Sequence, residues 1–235
     1  MSFPEAAMKV QQFTVGMFTV NTWLLTDEAT GASAIVDTGE DSTLLRRILA
    51  LDPVPDIQLI LLTHAHLDHA GALTLLQEQW DVPTILPRLD KPLFATLPMQ
   101  GSMFGMPHLN RPMGRIDREI EDGETVTLGE TTLRFLSTPG HTPGQGCYYN
   151  DEHIFVGDTL FSGSIGRTDF PMSSPAQMVE SLRRLTELPG HLVVHSGHGP
   201  DTTLEQELRT NPFLGYIRRE RGIPGSPGMR WAPGT

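Results

Sequence analysis

Apolar residues in this chain come in short runs that stop abruptly at Gly, Pro, Asp or Thr. Ile57-Gln58-Leu59-Ile60-Leu61-Leu62 is almost continuous, which predicts a strand covered on both faces. Phe13 to Leu25, with a tolerated Gly16, predicts one long strand, and Ala34-Ile35-Val36 a second that ends in Asp37-Thr38-Gly39. Leu44, Leu45, Ile48 and Leu49 fall on one face of a helix capped by Asp41 or Ser42 and ended by Asp52-Pro53. Helix is predicted again over Ala72 to Trp80 and strand over Val82 to Leu86. Pro92 to Ile116 has no clear period and is rich in Pro, Gly and Met, so it reads as a loop or lid. Thr125 to Leu128 and Thr131 to Leu136 form a hairpin pattern around Gly129-Glu130, and Gln145 to Tyr149 pairs with His153 to Val156 around Asn150-Asp151. Ser174-Pro175-Ala176-Gln177 starts a helix with a capping box and Pro at its first position. Leu192-Val193-Val194 predicts a buried strand, and Thr202-Thr203-Leu204-Glu205 opens a last short helix.

Strands and helices thus arrive in two successive sets without a linker-like break. This predicts one domain over residues 1–235, with two sheets between helices, a core from about 10 to 214, and a loose Pro/Gly-rich tail over 222–235. Charge narrows the partners. Seventeen basic and 28 acidic residues give a net −11, and Arg183-Arg184 and Arg218-Arg219-Glu220-Arg221 are the densest basic runs, so no nucleic-acid partner is expected. No apolar run reaches spanning length and Met1 to Val10 lacks a signal-peptide core, so no membrane partner and a cytoplasmic location are expected. The single cysteine, Cys147, precludes an intrachain disulfide.

The candidate chemistry sits where apolar runs end. Thr63-His64-Ala65-His66-Leu67-Asp68-His69 places four metal-ligand side chains in six positions. His141 in Pro139-Gly140-His141-Thr142-Pro143-Gly144, Asp158 in Val156-Gly157-Asp158-Thr159, and His198 in Ser196-Gly197-His198-Gly199-Pro200 stand in similar strand-end settings. Imidazole and carboxylate suit zinc, iron and manganese alike. His64 and His66 alternate as in a strand and can face one ion, with His141 completing that site. Asp68, His69 and His198 can hold a second ion, and the two oxygens of Asp158 can bridge both. Two cations roughly 3.5–4 Å apart activate a bridging hydroxide and stabilise an oxyanion. Asp158 and Asp68 are the expected catalytic residues, the first as bridge and the second as a ligand able to shuttle a proton.

With these residues the chain resembles the metallo-β-lactamase superfamily: the His-x-His-x-Asp-His run at His64 to His69, then His141, Asp158 and His198, in that order, over roughly Val10 to Leu214. The resemblance implies a four-layer αββα sandwich and two divalent metal ions, zinc first, with iron or manganese as alternatives. Thr63 to Ala72, Met103-Phe104-Gly105, Gly166-Arg167-Thr168-Asp169-Phe170-Pro171, Gly197 to Pro200 and Asn211-Pro212-Phe213-Leu214 look most like the short, single-domain glyoxalase II-like branch. That implies hydrolysis of a small-molecule thioester such as S-lactoylglutathione. Only Gly199 to Thr235 follow the last ligand, too few for the helical domain with which larger glyoxalase II enzymes grip glutathione, so a broader thioester range is expected. The main zinc class of antibiotic-hydrolysing relatives uses a Cys ligand where this chain has Asp158, which argues against β-lactam hydrolysis. Chemistry favours a thioester independently: a thiolate, with a conjugate pKa near ~8.5, leaves with little protonation, whereas an amine needs an acid.

Further candidates carry open alternatives. Asp37 can orient a ligand histidine or simply end a strand; Arg167 can meet a substrate carboxylate or hold Asp158 or Asp169. Met103, Phe104 and Met106 can line a pocket or pack under a loop. His108 is a loop residue able to touch substrate, and His153, His191 and His195 read as structural. The rival reactions are an iron-dependent persulfide dioxygenase, which shares the ligands and the Gly-Arg-Thr-Asp-Phe segment, a lactonase or other ester hydrolase, a nuclease, and a non-catalytic metal-binding module. Leu67, Ala70 and Pro171 lean toward the hydrolase branch.

Overall fold

The computed structural model describes residues 7–106 and 114–222. The apolar runs become strands because both of their faces are covered. The first sheet runs β1 (Met8–Val15), β2 (Val20–Asp27), β3 (Ala32–Val36), β4 (Asp56–Leu61), β5 (Thr84–Pro87) and β6 (Arg118–Ile120), in that spatial order. Its first three strands are antiparallel neighbours, and from β3 onward the pairing is parallel. The second sheet is built from β7 (Thr125–Leu128), β8 (Thr131–Ser137), β9 (Gly146–Tyr149), β10 (His153–Gly157), β13 (Val193–Ser196) and β14 (Thr202–Thr203), ordered β14-β13-β10-β9-β8-β7. A small ribbon, β11 (Leu160–Phe161) with β12 (Ser164–Ile165), stands apart.

Three buried clusters define four layers. Trp23, Leu25, Val36 and Leu61 of the first sheet pack against Leu133, Phe135, Tyr148 and Phe155 of the second, forming the inter-sheet core. The outer face of the first sheet buries Leu24, Ile35, Ile57 and Ile60 against Leu44 and Ile48 of α1 (Thr43–Leu49), the short α2 (Leu67–Ala70), and Leu73 and Leu76 of α3 (Leu73–Trp80). The outer face of the second sheet buries Ile154, Val156 and Val194 under Met178, Leu182 and Leu185 of α6 (Pro175–Leu185), Leu204 of α7 (Leu204–Thr210) and Ile217 of α8 (Gly215–Arg221). The architecture is therefore the expected αββα sandwich. Burying each large apolar side chain contributes about 1.5–3 kcal/mol, so the faces that meet dictate the layers. Helix α6 begins as its sequence demands, with Ser174 accepting from the Gln177 N–H and Pro175 in the first turn.

Several expectations need correction. Phe13 to Leu25 is not one strand: a turn at Gly16 to Thr19 folds it into the β1–β2 hairpin, with Gly16 and Thr19 both at positive φ. The Met-rich stretch from Pro92 is helical, as α4 (Lys91–Phe94) and α5 (Leu97–Met103), because Leu93, Phe94 and Leu97 find cover against the first sheet's helices. Residues 107–113 of that stretch, with His108, and the tail beyond 222 lie outside the described residues. Leu49 is exposed rather than on the core face of α1. Helix α7 is followed by α8, so it is not the last. Among the described residues no helix is long and apolar enough to cross a membrane.

Candidate metal centre

Parallel strands deliver their carboxyl ends to one edge of the sandwich, where binding sites form in sheets of this kind. Asp37 follows β3, the His64-to-His69 segment follows β4, Asp158 follows β10, and His198 follows β13. His141 comes from the loop between β8 and β9. The structure brings all seven ligand candidates together: His64, His66 and His141 form one group, Asp68, His69 and His198 another, and His64, His69 and Asp158 a third between them. Within each group the donor atoms lie within 4.8 Å of one another. The Asp158 carboxylate faces three imidazoles, 3.3 Å from His69 Nε2, 3.4 Å from His141 Nε2 and 3.7 Å from His198 Nε2. Asp68 Oδ2 is 3.2 Å from His198 Nε2.

The outer partners of the rings fix which nitrogen faces inward. Asp37 accepts from the Thr63 N–H at 2.8 Å, from the Thr63 hydroxyl at 2.8 Å and from His69 Nδ1 at 2.8 Å. Because the Thr63 hydroxyl spends its proton on Asp37, it accepts from His64 Nδ1 at 3.1 Å. His141 Nδ1 donates to the Arg167 carbonyl at 2.8 Å. In all three rings the Nδ1 proton points outward, so the Nε2 lone pairs point into the cluster. His66 Nδ1 meets His141 Nε2 at 2.8 Å. His64 Nε2, His69 Nε2 and Asp158 Oδ1 are buried and make no hydrogen bond. Buried acceptors left unpaired are costly, and acceptors that converge on one point call for a cation there.

Electrostatics agree. Burial, reinforced by neighbouring imidazoles, holds His64 well below the ordinary histidine range and pushes His66 down to about 3, so both stay neutral and available as ligands. Burial also opposes a charge on His69, but the Asp158, Asp68 and Asp37 carboxylates outweigh it and raise its pKa well above the ordinary value. Asp158 resists burial in the same way, held low by His69 and the other rings. That field attracts whatever cation is present, a proton or a metal ion. The residues therefore fit a metal centre. Gly197 permits the closeness: a Cβ there would lie 2.4 Å from Asp158 Oδ1 and 2.7 Å from His69 Cε1.

The remaining candidates fall less centrally. Arg167 pairs with Asp169 through two 2.9 Å contacts and lies over the Phe170 ring, so its side chain holds neither Asp158 nor a ligand loop, although its carbonyl orients His141. Met103 and Phe104 are 75% and 52% exposed, which rules out core packing for them; Phe104 meets Phe18 edge-on. Met106 is buried. His195 stacks on Phe155, meets Trp23 at a tilt and is bonded to Asp201 and His153. The sequence reading missed the aromatic walls, Phe170 beside His66 and His141 and Phe161 beside His198. It also missed Asp90, Asn21 and Gln100, whose side chains bind the ligand loops. Asp90 carried a usable signal, a carboxylate just after a buried strand, as Asp37 is; Asn21, inside an apolar run, carried none.

An αββα sandwich with a His/Asp cluster at its strand ends defines a metallo-hydrolase scaffold. The sequence pattern of the Metallo-beta-lactamase superfamily matches residues 15–198, and the chain belongs to that family. It is 37% identical over 212 residues to hydroxyacylglutathione hydrolase GloC of Haemophilus influenzae, covering 88% of this chain and 98% of that one. Among solved structures, TTHA1623 in a di-iron-bound form is 35% identical with a TM-score of 0.76, covering 87% of this chain and 100% of that one. BLEG-1, a B3 metallo-beta-lactamase, is 31% identical with a TM-score of 0.75, covering 88% and 99%.

Proposed function

We propose that the protein hydrolyses thioesters, S-lactoylglutathione or a close relative, at a two-metal centre held by His64, His66 and His141 on one side, Asp68, His69 and His198 on the other, and Asp158 between them. The observation that carries this reading is the convergence of buried ligand atoms without hydrogen-bond partners, from His64, His69 and Asp158. The similarity to GloC supports the thioester, and the di-iron form of TTHA1623 supports a metal pair. When bound, the cations supply a hydroxide at neutral pH and positive charge for the developing oxyanion. The chain supplies the rest. Asp37 and the Arg167 carbonyl hold His69 and His141 in the tautomer that faces inward. Asp68, part-exposed and beside His198, is placed to receive the proton released as the nucleophile attacks. Phe170, beside His66, and Phe161, beside His198, flank the cluster and offer an acyl group apolar walls. The departing thiolate needs little protonation, which suits a site whose polar groups serve as ligands.

The likeness to BLEG-1 supports a second reading, β-lactam hydrolysis, for which the same cluster would have to release an amine. Side-by-side turnover of S-lactoylglutathione and of a chromogenic cephalosporin separates them. Thioester cleavage that exceeds cephalosporin cleavage supports the proposal; the reverse order, or cephalosporin cleavage alone, overturns it.

A further inference from the structure

Two buried polar side chains outside the ligand set each grip a different ligand loop. Asp90 lies just beyond β5 and is fully buried. Its Oδ2 accepts from the Ala65 N–H at 2.9 Å and from the Thr142 hydroxyl at 2.8 Å, and its Oδ1 accepts from the Gly144 N–H at 2.6 Å. Ala65 separates His64 from His66, and Thr142 follows His141, so one carboxylate ties together both chain segments that carry this ligand group. The approach is close enough that a Cβ at Gly144 would sit 2.3 Å from the Asp90 nitrogen.

Asn21 sits on β2, in the other half of the sandwich from His198. Its side-chain NH2 donates to the Ser196 carbonyl at 3.0 Å and to the Gly199 carbonyl at 2.8 Å, while its backbone N–H donates to the Gly197 carbonyl at 2.7 Å. Its Oδ1 accepts from Gln12 at 2.7 Å and Thr14 at 2.8 Å, so the full capacity of the amide is used. The loop is thereby held on both sides of His198 by a residue of the first sheet. Asp37, in contrast, touches Thr63 beside His64 as well as His69, and so serves both groups.

We infer that the metal centre is braced at two separate places, Asp90 holding the two segments that carry His64, His66 and His141, and Asn21 holding the loop that carries His198. Both are positioning residues, since neither offers an atom to the ligand groups. The inference rests on the two-metal reading above. Its consequence is that the affinity of each half can be changed alone.

The test is a cobalt(II) titration of chelator-stripped protein, followed by calorimetry and visible absorption, with folding checked by circular dichroism. Ligand variants weaken one half at a time: His198→Ala removes a ligand from the Asp68–His69–His198 half and leaves the His64–His66–His141 half complete, and His141→Ala does the reverse. In the His198→Ala background, Asp90→Asn is expected to weaken the tighter ion, that of the complete half, by roughly 10- to 100-fold, the range for loss of a partner one step beyond the ligands, while Asn21→Ala leaves it within about threefold. In the His141→Ala background the order reverses. Weakening of both halves alike by either brace variant, or no weakening of the braced half, overturns the inference. Should Asp90→Asn or Asn21→Ala fail to fold, Thr142→Val and Asn21→Ser give milder cuts, and each must still act on its own half alone. A wild-type chain that binds fewer than two cobalt ions removes the two-metal reading and the inference with it; two ions without the selective losses remove the inference alone.

Discussion

Asp37→Asn tests how much of the metal affinity resides in a residue that touches no metal. The native carboxylate receives three donors: the Thr63 N–H on Oδ1, and the Thr63 hydroxyl and His69 Nδ1 on Oδ2, each at 2.8 Å. An amide has one oxygen for these two places. With its oxygen toward the Thr63 N–H, its NH2 faces His69 Nδ1, and the ring must move its proton to Nε2, the atom that faces Asp158 at 3.3 Å. With its oxygen toward His69, its NH2 meets the Thr63 N–H, and the start of the ligand loop loses its anchor. Either way at least one charge-assisted hydrogen bond is lost, worth about 1.5–3 kcal/mol. Translated through the ligand it supports, that is roughly a ten- to hundredfold loss of affinity for the ion at His69. Competition with a chelator of known affinity, read by metal analysis of the protein, measures it directly. A folded Asp37→Asn variant that holds both ions as tightly as the native chain would refute the claim that the Asp37 bond sets the His69 lone pair.

Asp158→Ala should abolish turnover and cost at least one ion, since the carboxylate lies among His69, His141 and His198; a folded variant with full activity would remove the bridging role. Cys147 is buried and its thiol is pushed up to about 11, so it should resist alkylation in the native protein and react once unfolded, and Cys147→Ser should keep activity and metal. A dead but folded, metal-loaded serine variant would contradict this. His153 is held below its ordinary pKa by burial and by His195, with Glu152 and Asp201 opposing. The unfolded chain therefore takes up the proton first, and His153 contributes stability that is present above about pH 6.5 and lost as pH falls toward its folded pKa. Urea midpoints of His153→Gln against pH should show a shallower acid loss than the native chain; parallel curves would exclude the contribution.

The strands that carry ligands were legible because burial on both faces leaves a plain mark, as in Ile57 to Leu62, and because strand ends that bear function end in Gly, Asp and His. The hairpin at Gly16 to Thr19 was hidden by the apolar residues on both sides of it, Val15 and Val20. Helix α5 was hidden for a different reason: Pro98 and Gly101 mask its period, and its order comes from Leu97 packing and from Gln100, which accepts the Leu67 N–H at 2.9 Å. The ligand residues declared themselves by chemistry. The braces did not, because an Asp after a strand or an Asn within one acquires meaning only when another chain segment arrives beside it. Asn21 and Gly199 are 178 residues apart in sequence, and no local pattern joins them.

The most direct measurement is the rate of S-lactoylglutathione hydrolysis by metal-loaded protein, with the metal content of the same sample determined before and after chelation. The expected result is two ions per chain and a rate that disappears as they are withdrawn and returns when they are restored. A rate indifferent to chelation, or a chain that carries both ions and leaves the thioester intact, would contradict the proposed function.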